Sequence, residues 1–427
     1  MASDSRKAAY SAITRCLKSG GWSSRTIDSA IKSFQLEGRD AALSNRLVLG
    51  VLQNTTLLDY YIDFFCSSPD TLQPEVRNIM RMGAYQILFS SKIPPHAAVN
   101  ESVELCREVK LSRASGLVNA VLRKIAANKE KLPEIPGKGT AEYLSIKYSH
   151  PLWLVNRLAE EYGFDKTEAF LRADNEIPST DIQVNITRIS PEAYCRLLEE
   201  RGIKYSAAAE NPESLTLDFG RVTELPGFDE GFFYVQDAAA HSSVLMADIK
   251  EGMTVLDACS APGGKSFAAA NMMNCSGKII ACDIHEKKLS LVRASAERLG
   301  INIIETRQAD ASEYNPQWDL LFDVVIADVP CSGMGVIAKK PEIKFKKEEE
   351  LSSLPAIQSR IIENLSRYVK RGGTLLYSTC TVFKEENEEI VKSFLEKNKE
   401  FELSCSRQFL PGTESTDGFY AAALIRR

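Results

Sequence analysis

Two cysteines stand directly behind apolar runs, where a thiol could take part in chemistry. Cys331 lies in "FDVVIADVPCSGMG", residues 322–335, behind a proline and close to Asp328. Cys380 lies in "GGTLLYSTCTV", residues 372–382. Each apolar run is typical of a buried strand, so we expect each thiol beyond the end of a strand rather than inside the core. Thiolates in such positions are candidate nucleophiles.

A glycine-containing turn follows a third apolar run, in "VLDACSAPGGKSFAAA", residues 255–270. Adjacent glycines let the backbone approach a ligand closely, and the start of the following helix supplies unpaired N–H groups. The stretch matches neither G-x-G-x-x-G nor a Walker A loop. This disfavours a dinucleotide or a triphosphate as the ligand.

Two aspartates end later units of the same kind. Asp283 ends "KIIACD", where a carboxylate can take both hydroxyls of a ribose, and Asp310 ends "TRQAD", where it could accept from an adenine amine. Read singly, such an aspartate is more often a helix cap, and a Gly-Gly pair is often only a tight turn. The succession of a glycine turn and three acidic strand ends favours a nucleoside ligand without phosphates, and S-adenosylmethionine is the common cofactor of that kind.

The elements that must position these residues fall into three groups. Residues 1–130 carry apolar residues at helical spacing, as in "SGLVNAVLRKIAA", and predict an all-α bundle. After the linker "NKEKLPEIPGKG", residues 141–230 combine helical and alternating stretches and predict a small α/β domain. Residues 231–427 alternate short β-branched runs with helical ones, which predicts βαβ units, a parallel sheet and helices on both faces.

Composition narrows the possible classes of function. The chain has 427 residues, 44% of them hydrophobic, and no apolar segment approaches the ~20 residues needed to cross a bilayer. We expect a cytoplasmic protein without membrane contact, since the first residues also lack a signal sequence. The ten cysteines include no CxxC pair and the four histidines do not cluster, so no metal is expected. A net charge of −5 argues against non-specific wrapping of nucleic acid.

Three motifs now make the interpretation specific. "DACSAPGGKS", "ADVPCSGMG" and "YSTCTVFKEENEE", in this order, resemble those of the RNA cytosine-5 methyltransferases, the family that includes the Sun proteins. The helical N-terminal part resembles the NusB-type RNA-binding domain, and the resemblance covers nearly the whole chain. It implies a NusB-like bundle, a small α/β domain and a Rossmann-like methyltransferase domain. It also implies S-adenosylmethionine-dependent methylation of carbon 5 of a cytosine in small-subunit ribosomal RNA by a monomer.

The resemblance assigns a role to each candidate residue. Cys380 would add to carbon 6 of the cytosine and Cys331 would help to release the product, although DNA cytosine methyltransferases use the Pro-Cys position for addition. Asp328 would bind the cytosine edge and Lys265 would orient the site. The cofactor would be held by Cys259, Ser260, Ala261, Pro262, Gly263, Gly264, Lys265, Asp283, Asp310 and Asp328. The thiol of Cys259 itself, in its apolar context, is expected to pack rather than react.

RNA must also be held around the pocket. "KKPEIKFKK", residues 339–347, carries five lysines immediately after the Cys331 loop and is interpreted as a phosphate-binding stretch, with Arg77, Arg81, Arg123 and Lys124 as further contacts. Two alternatives stay open. One is a NusB-like RNA-binding assembly or antitermination factor in which the C-terminal sheet is a passive scaffold. The other is the same chemistry on transfer RNA.

Overall fold

A computed structural model describes residues 2–19, 23–208 and 211–427. Packing divides the chain into two compact units. One contains the residues up to Glu176 together with Ile337–Glu348, and the other contains Ile177–Val336 together with Glu349–Arg427. The three domain ranges expected from the sequence stay a prediction. Within the described ranges, no helix is long and apolar enough to cross a membrane.

The first unit contains the predicted helical bundle. Its core is formed by residues that recur at helical spacing, such as Leu47 with Val51 on one helix and Val118 with Leu122 on another, and all four are buried. Prolines at the first position start two of the helices, where the missing N–H costs nothing. The helices are α1 (Asp4–Ser19), α2 (Ser23–Ser33), α3 (Gly38–Gln53), α4 (Thr55–Phe65), α5 (Pro74–Phe89), α6 (Pro95–Glu108), α7 (Ser115–Ala127), α8 (Ala141–Tyr148), α9 (Leu152–Tyr162) and α10 (Phe164–Ala173).

The second unit begins with a small antiparallel sheet of order β2-β3-β1-β4 and one helix. The alternating stretch "TDIQV" forms one of its two inner strands, as the sequence predicted. A serine hydroxyl, that of Ser190, caps the helix by accepting from the backbone N–H of Ala193. The elements are β1 (Thr180–Val184), α11 (Pro191–Glu200), β2 (Tyr205–Ala208), β3 (Asn211–Leu217) and β4 (Phe233–Val235).

A seven-stranded sheet of order β10-β11-β9-β8-β5-β6-β7 forms the rest of this unit. Strands β5 to β9 are parallel to one another, as predicted from the alternation of strands and helices. The elements are α12 (Ala238–Leu245), β5 (Thr254–Asp257), α13 (Gly264–Met272), β6 (Lys278–Asp283), α14 (Glu286–Leu299), β7 (Ile304–Gln308), β8 (Phe322–Asp328), α15 (Leu354–Ser366), β9 (Val369–Thr379), α16 (Glu388–Lys397), β10 (Phe401–Phe409) and β11 (Phe419–Arg426).

The C-terminal strands differ from the all-parallel expectation. Strand β11 inserts between β9 and β10 and pairs antiparallel with both. A short connection joins β10 to β11, and such a connection returns the chain antiparallel because a parallel neighbour needs a crossover of a dozen or more residues. The central part of β11 is buried and apolar, as its position inside the sheet requires.

The strand order places one crevice at the carboxyl ends of the parallel strands. From the central pair β5 and β8, the chain proceeds outward through β6 and β7 on one side and through β9 on the other. In such sheets the ligand crevice lies where the strand order reverses, beyond the strand ends. The predicted acidic and thiol residues all end or follow strands of this set.

Candidate active site

The two candidate thiols meet at the ends of neighbouring strands. Strands β8 and β9 are paired in register, with Asp328 opposite Ser378, so the loops that follow them start side by side. The backbone N–H of Gly335 donates to the carbonyl of Cys380 at 3.0 Å and ties one loop to the other. The sulfur of Cys331 lies 3.1 Å from that of Cys380, and both side chains are half-buried free thiols.

A lysine and an aspartate from two other positions complete this corner. Lys265, near the start of α13, places its Nζ 2.7 Å from Oδ2 of Asp328, the last residue of β8. The second carboxylate oxygen of Asp328 accepts from the hydroxyl of Ser378 at 2.9 Å. Lys265 is only 8% exposed, and its ammonium lies 4.9 Å from the ring centroid of Phe419. The structure thus brings together all four residues expected to act in catalysis.

The turn between β5 and α13 is fixed by its own backbone. Gly263 has φ +116°, and a Cβ there would lie 2.4 Å from the ring of Phe267, so only glycine fits. Ser260 donates twice to the carbonyl of Cys282, from its N–H at 2.7 Å and from its hydroxyl at 2.9 Å. Ala261 and Pro262, joined by a cis peptide bond, complete the turn. The serine hydroxyl therefore serves the loop itself.

Two further residues of the turn, Cys259 and Gly264, pack against the protein interior and against a neighbouring side chain, respectively. Burial raises the pKa of the Cys259 thiol, and nearby carboxylates, including Asp328, raise it further. Such a thiol stays neutral, in line with the expected packing role. Gly264 lies against the side chain of Gln236, since a Cβ on this glycine would approach the Gln236 amide to 3.3 Å.

The two further aspartates stand at successive strand ends. Asp283 ends β6 and is 7% exposed; its Oδ1 accepts from the N–H of His285 at 2.8 Å, and its Oδ2 lies 3.8 Å from Lys288 Nζ. Asp310 follows β7, and its Oδ1 accepts from the hydroxyl and the N–H of Ser312 at 2.7 and 2.8 Å. These two bonds lower the pKa of Asp310. Each aspartate thus caps the local chain through Oδ1.

A small cavity adjoins the second aspartate. It has a volume of about 190 Å³ and is lined by Asp310 together with Trp318, Asn364 and Tyr368, among others. Aromatic walls with a few fixed polar groups are typical of sites for flat heterocycles. The glycine turn, Asp283 and Asp310 follow β5, β6 and β7, which are neighbours in the sheet. This donor set fits a nucleoside that carries no phosphates.

Three buried polar residues of the site were missed by the sequence analysis. Asp257, at the end of β5, is fully buried; its Oδ2 accepts from the hydroxyl of Ser266 at 2.7 Å, and burial raises its pKa to about 7. Glu386 and Asn387 are each 1% exposed and lie behind the two thiol loops. Both residues lie in the acidic run "KEENEE", residues 384–389, but such a run more often forms a solvated surface than a buried site. Asp257 lies inside "VLDAC", where the apolar run predicts only a strand.

The interpretation of residues 339–347 as a phosphate-binding stretch is wrong for one of the five lysines. Lys344 is 4% exposed, and its Nζ donates to the carbonyl of Gln53 at 3.0 Å and to Oδ1 of Asn175 at 2.7 Å. Burial lowers its pKa to about 7. Its ammonium is therefore bonded inside the first unit and is not available to a phosphate. Lys340 and Lys347 of the same run are exposed.

Two arginines of the bundle are also engaged. Arg77 pairs with Asp63 at 2.7 Å, and Arg81 forms a bidentate pair with Asp59 at 2.8 and 2.6 Å. Because their charges are already matched, they are weaker candidates for RNA contacts than the sequence suggested. Arg123 and Lys124 are exposed. Across the part of the chain that the structure describes, no group of three or more His, Cys, Asp and Glu residues could hold a metal ion.

Comparison with known proteins places each part of the chain. Residues 244–425 match the family described as 16S rRNA methyltransferase RsmB/F, residues 3–127 match the NusB family, and residues 150–222 match the ferredoxin-like domain of RsmF/B-like methyltransferases. The probable ribosomal RNA small subunit methyltransferase B of Bacillus subtilis (strain 168) is 32% identical over 442 residues, which cover 99% of this chain and 98% of that protein. The ribosomal RNA small subunit methyltransferase B of Escherichia coli (strain SE11) is 35% identical, covering 92% of both.

Solved structures agree with the fold. The crystal structure of PH0851 superposes with a TM-score of 0.82 at 27% identity, covering 99% of this chain and 98% of that one. A methyltransferase homolog from Pyrococcus horikoshii superposes with a TM-score of 0.60 at 23% identity, covering 66% of this chain and 98% of the other, and speaks for the fold alone.

Proposed function

Because the chain belongs to the RsmB/F family of S-adenosylmethionine-dependent ribosomal RNA methyltransferases, we propose that it methylates carbon 5 of a cytosine in small-subunit rRNA through a covalent cysteine adduct. Family membership confirms the predicted cofactor and the predicted fold class, with a NusB-like region, a small middle domain and a Rossmann-like methyltransferase domain. Three points go beyond family membership: methylation at carbon 5 of a cytosine, the covalent cysteine adduct, and small-subunit rRNA as the substrate.

The observation that carries the proposal is the pair of sulfurs 3.1 Å apart at the ends of β8 and β9. Carbon 5 of cytosine is a poor nucleophile toward a methyl sulfonium. A thiolate that adds to carbon 6 turns the ring into an enamine, whose carbon 5 can attack. After methyl transfer the proton on carbon 5 must leave and the enzyme sulfur must be eliminated, so a second group is needed near the first.

The side chains of the pocket divide this work in the proposed mechanism. Cys380 adds to carbon 6, and Cys331 assists the release of the product. Asp328, held by Lys265 and Ser378, hydrogen-bonds the cytosine edge near ring nitrogen 3 and favours its protonated adduct. Lys265 orients this carboxylate through their ion pair of 2.7 Å.

The strand ends next to the thiols would hold S-adenosylmethionine, which supplies the methyl group as a sulfonium. Asp283 would accept from the ribose hydroxyls and Asp310 from the adenine amine. The turn from Cys259 to Lys265 would contribute backbone N–H groups that it does not use itself; those of Ser260 and Gly263 already donate to the carbonyls of Cys282 and Ser260. Asp328 closes the site on the side of the thiols.

The RNA must present an unpaired or flipped-out cytosine, because a stacked base hides carbon 6 from a thiolate. The exposed lysines of residues 339–347 and the NusB-like region would supply phosphate contacts. We propose that the enzyme acts as a monomer in the cytoplasm. A passive assembly factor is disfavoured, since it needs neither two thiols at strand ends nor a buried lysine paired with an aspartate beside them.

Bisulfite sequencing of total RNA from cells with and without the gene tests the proposal. We expect one protected cytosine in small-subunit rRNA to be lost on deletion and restored by the parent protein but not by the Cys380→Ala variant. A signal lost only from transfer RNA would move the substrate to the second alternative. An unchanged pattern in both RNAs would reject cytosine-5 methylation.

A further inference from the structure

Two consecutive residues, Glu386 and Asn387, lie behind both thiol loops. They follow the Cys380 loop in the chain, in the short 3-10 turn Lys384–Glu386 and at the start of α16. Both side chains are almost completely buried, at 1% exposure. A buried carboxylate is costly unless its surroundings use it, so Glu386 calls for an explanation.

Glu386 closes a ring of hydrogen bonds around Cys331. Its Oε2 accepts from the N–H of Ser332 at 2.9 Å and from Nε2 of Gln358 at 2.8 Å. The same Gln358 nitrogen donates to the carbonyl of Pro330 at 3.0 Å. The residues on both sides of Cys331 are thus fixed by one carboxylate and one amide, and the conformation of the loop depends on both.

Asn387 does the same for Cys380. Its Oδ1 accepts from the hydroxyl of Thr379 at 2.6 Å, and its Nδ2 donates to the carbonyl of Thr381 at 3.1 Å. The Asn387 nitrogen also donates to Oε1 of Gln408 at 2.9 Å, which anchors it to β10. Neighbouring side chains of one turn therefore hold the residues that flank each sulfur. A hydrogen bond of 2.6 Å between the hydroxyls of Ser332 and Thr381 links the two loops directly.

The charge of Glu386 has a second effect. Both donors to its Oε2 are neutral amide groups, and within the described ranges its buried Oε1 has no hydrogen-bond partner. Cys331 faces Cys380, Glu386, Asp328 and Tyr377, and the nearby ammonium of Lys265 is paired with Asp328. Its hydrogen bond to Cys380 and its burial raise the pKa of Cys331, and the charges of Glu386 and Asp328 raise it further.

We propose that Glu386 and Asn387 are positioning residues that together hold the two thiols in contact, and that the buried Glu386 carboxylate beside Cys331 makes the two thiols unequal. A neutral Cys331 can donate its S–H to the Cys380 sulfur, whereas two adjacent thiolates would repel each other. The carboxylate thereby distinguishes two thiols that otherwise occupy similar places. The consequence for turnover rests on the proposed function, but the ionisation of the thiols is testable without RNA.

The first experiment measures the pH dependence of alkylation. Reduced protein, without RNA or cofactor, is treated with iodoacetamide over a pH series, and peptide mass spectrometry follows Cys331 separately. Glu386→Gln retains an oxygen for Ser332 and Gln358 but removes the charge. We expect the midpoint for Cys331 to move to lower pH by roughly half a unit or more. Glu389→Gln, the same change at an exposed position of the same motif, should leave it unmoved.

A second pair of variants separates geometry from charge. Gln358→Ala removes the contact to Pro330 but keeps the carboxylate, and Asn387→Ala removes the contacts on either side of Cys380. Both should lower kcat for methyl transfer roughly 10-fold to 100-fold and leave the KM for S-adenosylmethionine unchanged, because displacement of reacting groups affects the chemical step. Circular dichroism establishes that each variant folds.

The outcomes divide clearly. An alkylation midpoint for Cys331 that is the same in Glu386→Gln, Glu389→Gln and the parent would overturn the role of the charge. Normal kcat in folded Gln358→Ala and Asn387→Ala would overturn the positioning role. If no variant and no parent protein methylates RNA, the proposed function fails while the alkylation result still stands on its own.

Discussion

The sulfur of Cys331 lies 3.1 Å from the sulfur of Cys380, although the two residues come from different strands and from different motifs. The pairing of β8 with β9 produces this proximity, because it sets Asp328 opposite Ser378 and starts both loops at the same level. The two thiols are therefore one site, and a change at either should be felt at the other.

This proximity predicts a selective cross-link. Treatment of the reduced protein with diamide should join Cys331 to Cys380, as two thiols lose two protons and two electrons and diamide is reduced to its hydrazine. Methyl transfer should stop and return after dithiothreitol. Cys405→Ser, a change at an exposed thiol on β10, should leave both the activity and the cross-link unaltered. A peptide map without the Cys331–Cys380 bridge would contradict the observed arrangement.

The assigned ribose contact predicts a loss of cofactor affinity in Asp283→Ala. Two charge-assisted hydrogen bonds of ~1.5–3 kcal/mol each would be lost, so calorimetry should show markedly weaker binding of S-adenosylmethionine. Asp218→Ala, at an exposed position directly after β3, is the control. Equal affinities in the two variants and the parent would reject the contact.

The lysine run predicts a change in the salt dependence of RNA binding. Replacing Lys340, Lys346 and Lys347 by Gln should weaken binding and reduce the slope of log K against log salt by up to about 0.7 to 0.9 per lost phosphate contact. Cofactor affinity should stay the same. Lys344→Met should instead leave the slope unaltered and change the stability of the fold, since Lys344 is buried. An unaltered slope in the triple variant would make the run a solvated surface.

The buried carboxyl of Asp257 predicts a pH-dependent stability. Burial raises its pKa to about 7, with Ser266 and Lys265 opposing the shift and Asp328 adding to it. The folded protein thus keeps a proton that the unfolded chain loses near its ordinary pKa, and this contribution to stability falls as pH rises through that window. Asp257→Asn should gain about 2–3 kcal/mol of unfolding free energy relative to the parent between about pH 5 and about pH 8. Urea titrations at the two pH values test this, and a constant difference would contradict it.

The sequence predicted the elements that depend on local pattern. Strands β5, β6, β8 and β9 and helix α7 follow from apolar runs and helical spacing, and their ends mark where the site residues stand. Position at a strand end was also sufficient to select Cys331, Cys380 and Asp328, because a parallel sheet gathers such ends in one crevice.

The features that the sequence did not predict depend on contacts between residues far apart in the chain. Lys344 looks like its neighbouring lysines, and only the packing around Gln53 and Asn175 makes it a buried residue. Glu386 stands in an acidic run, and its burial follows from Ser332 and Gln358, which lie 54 and 28 residues away. No local spacing encodes such contacts, which is also why the antiparallel insertion of β11 was not foreseen.

The central claim is that Cys380 forms the covalent bond to cytosine and Cys331 assists release. A denaturing gel of each variant, incubated with substrate RNA and S-adenosylmethionine, tests it most directly. Cys380→Ala should give neither methyl transfer nor an adduct, because no thiolate remains to add at carbon 6. Cys331→Ala should transfer the methyl group and then stall with RNA attached to Cys380. A stable adduct in Cys380→Ala and none in Cys331→Ala would contradict this account and exchange the two roles.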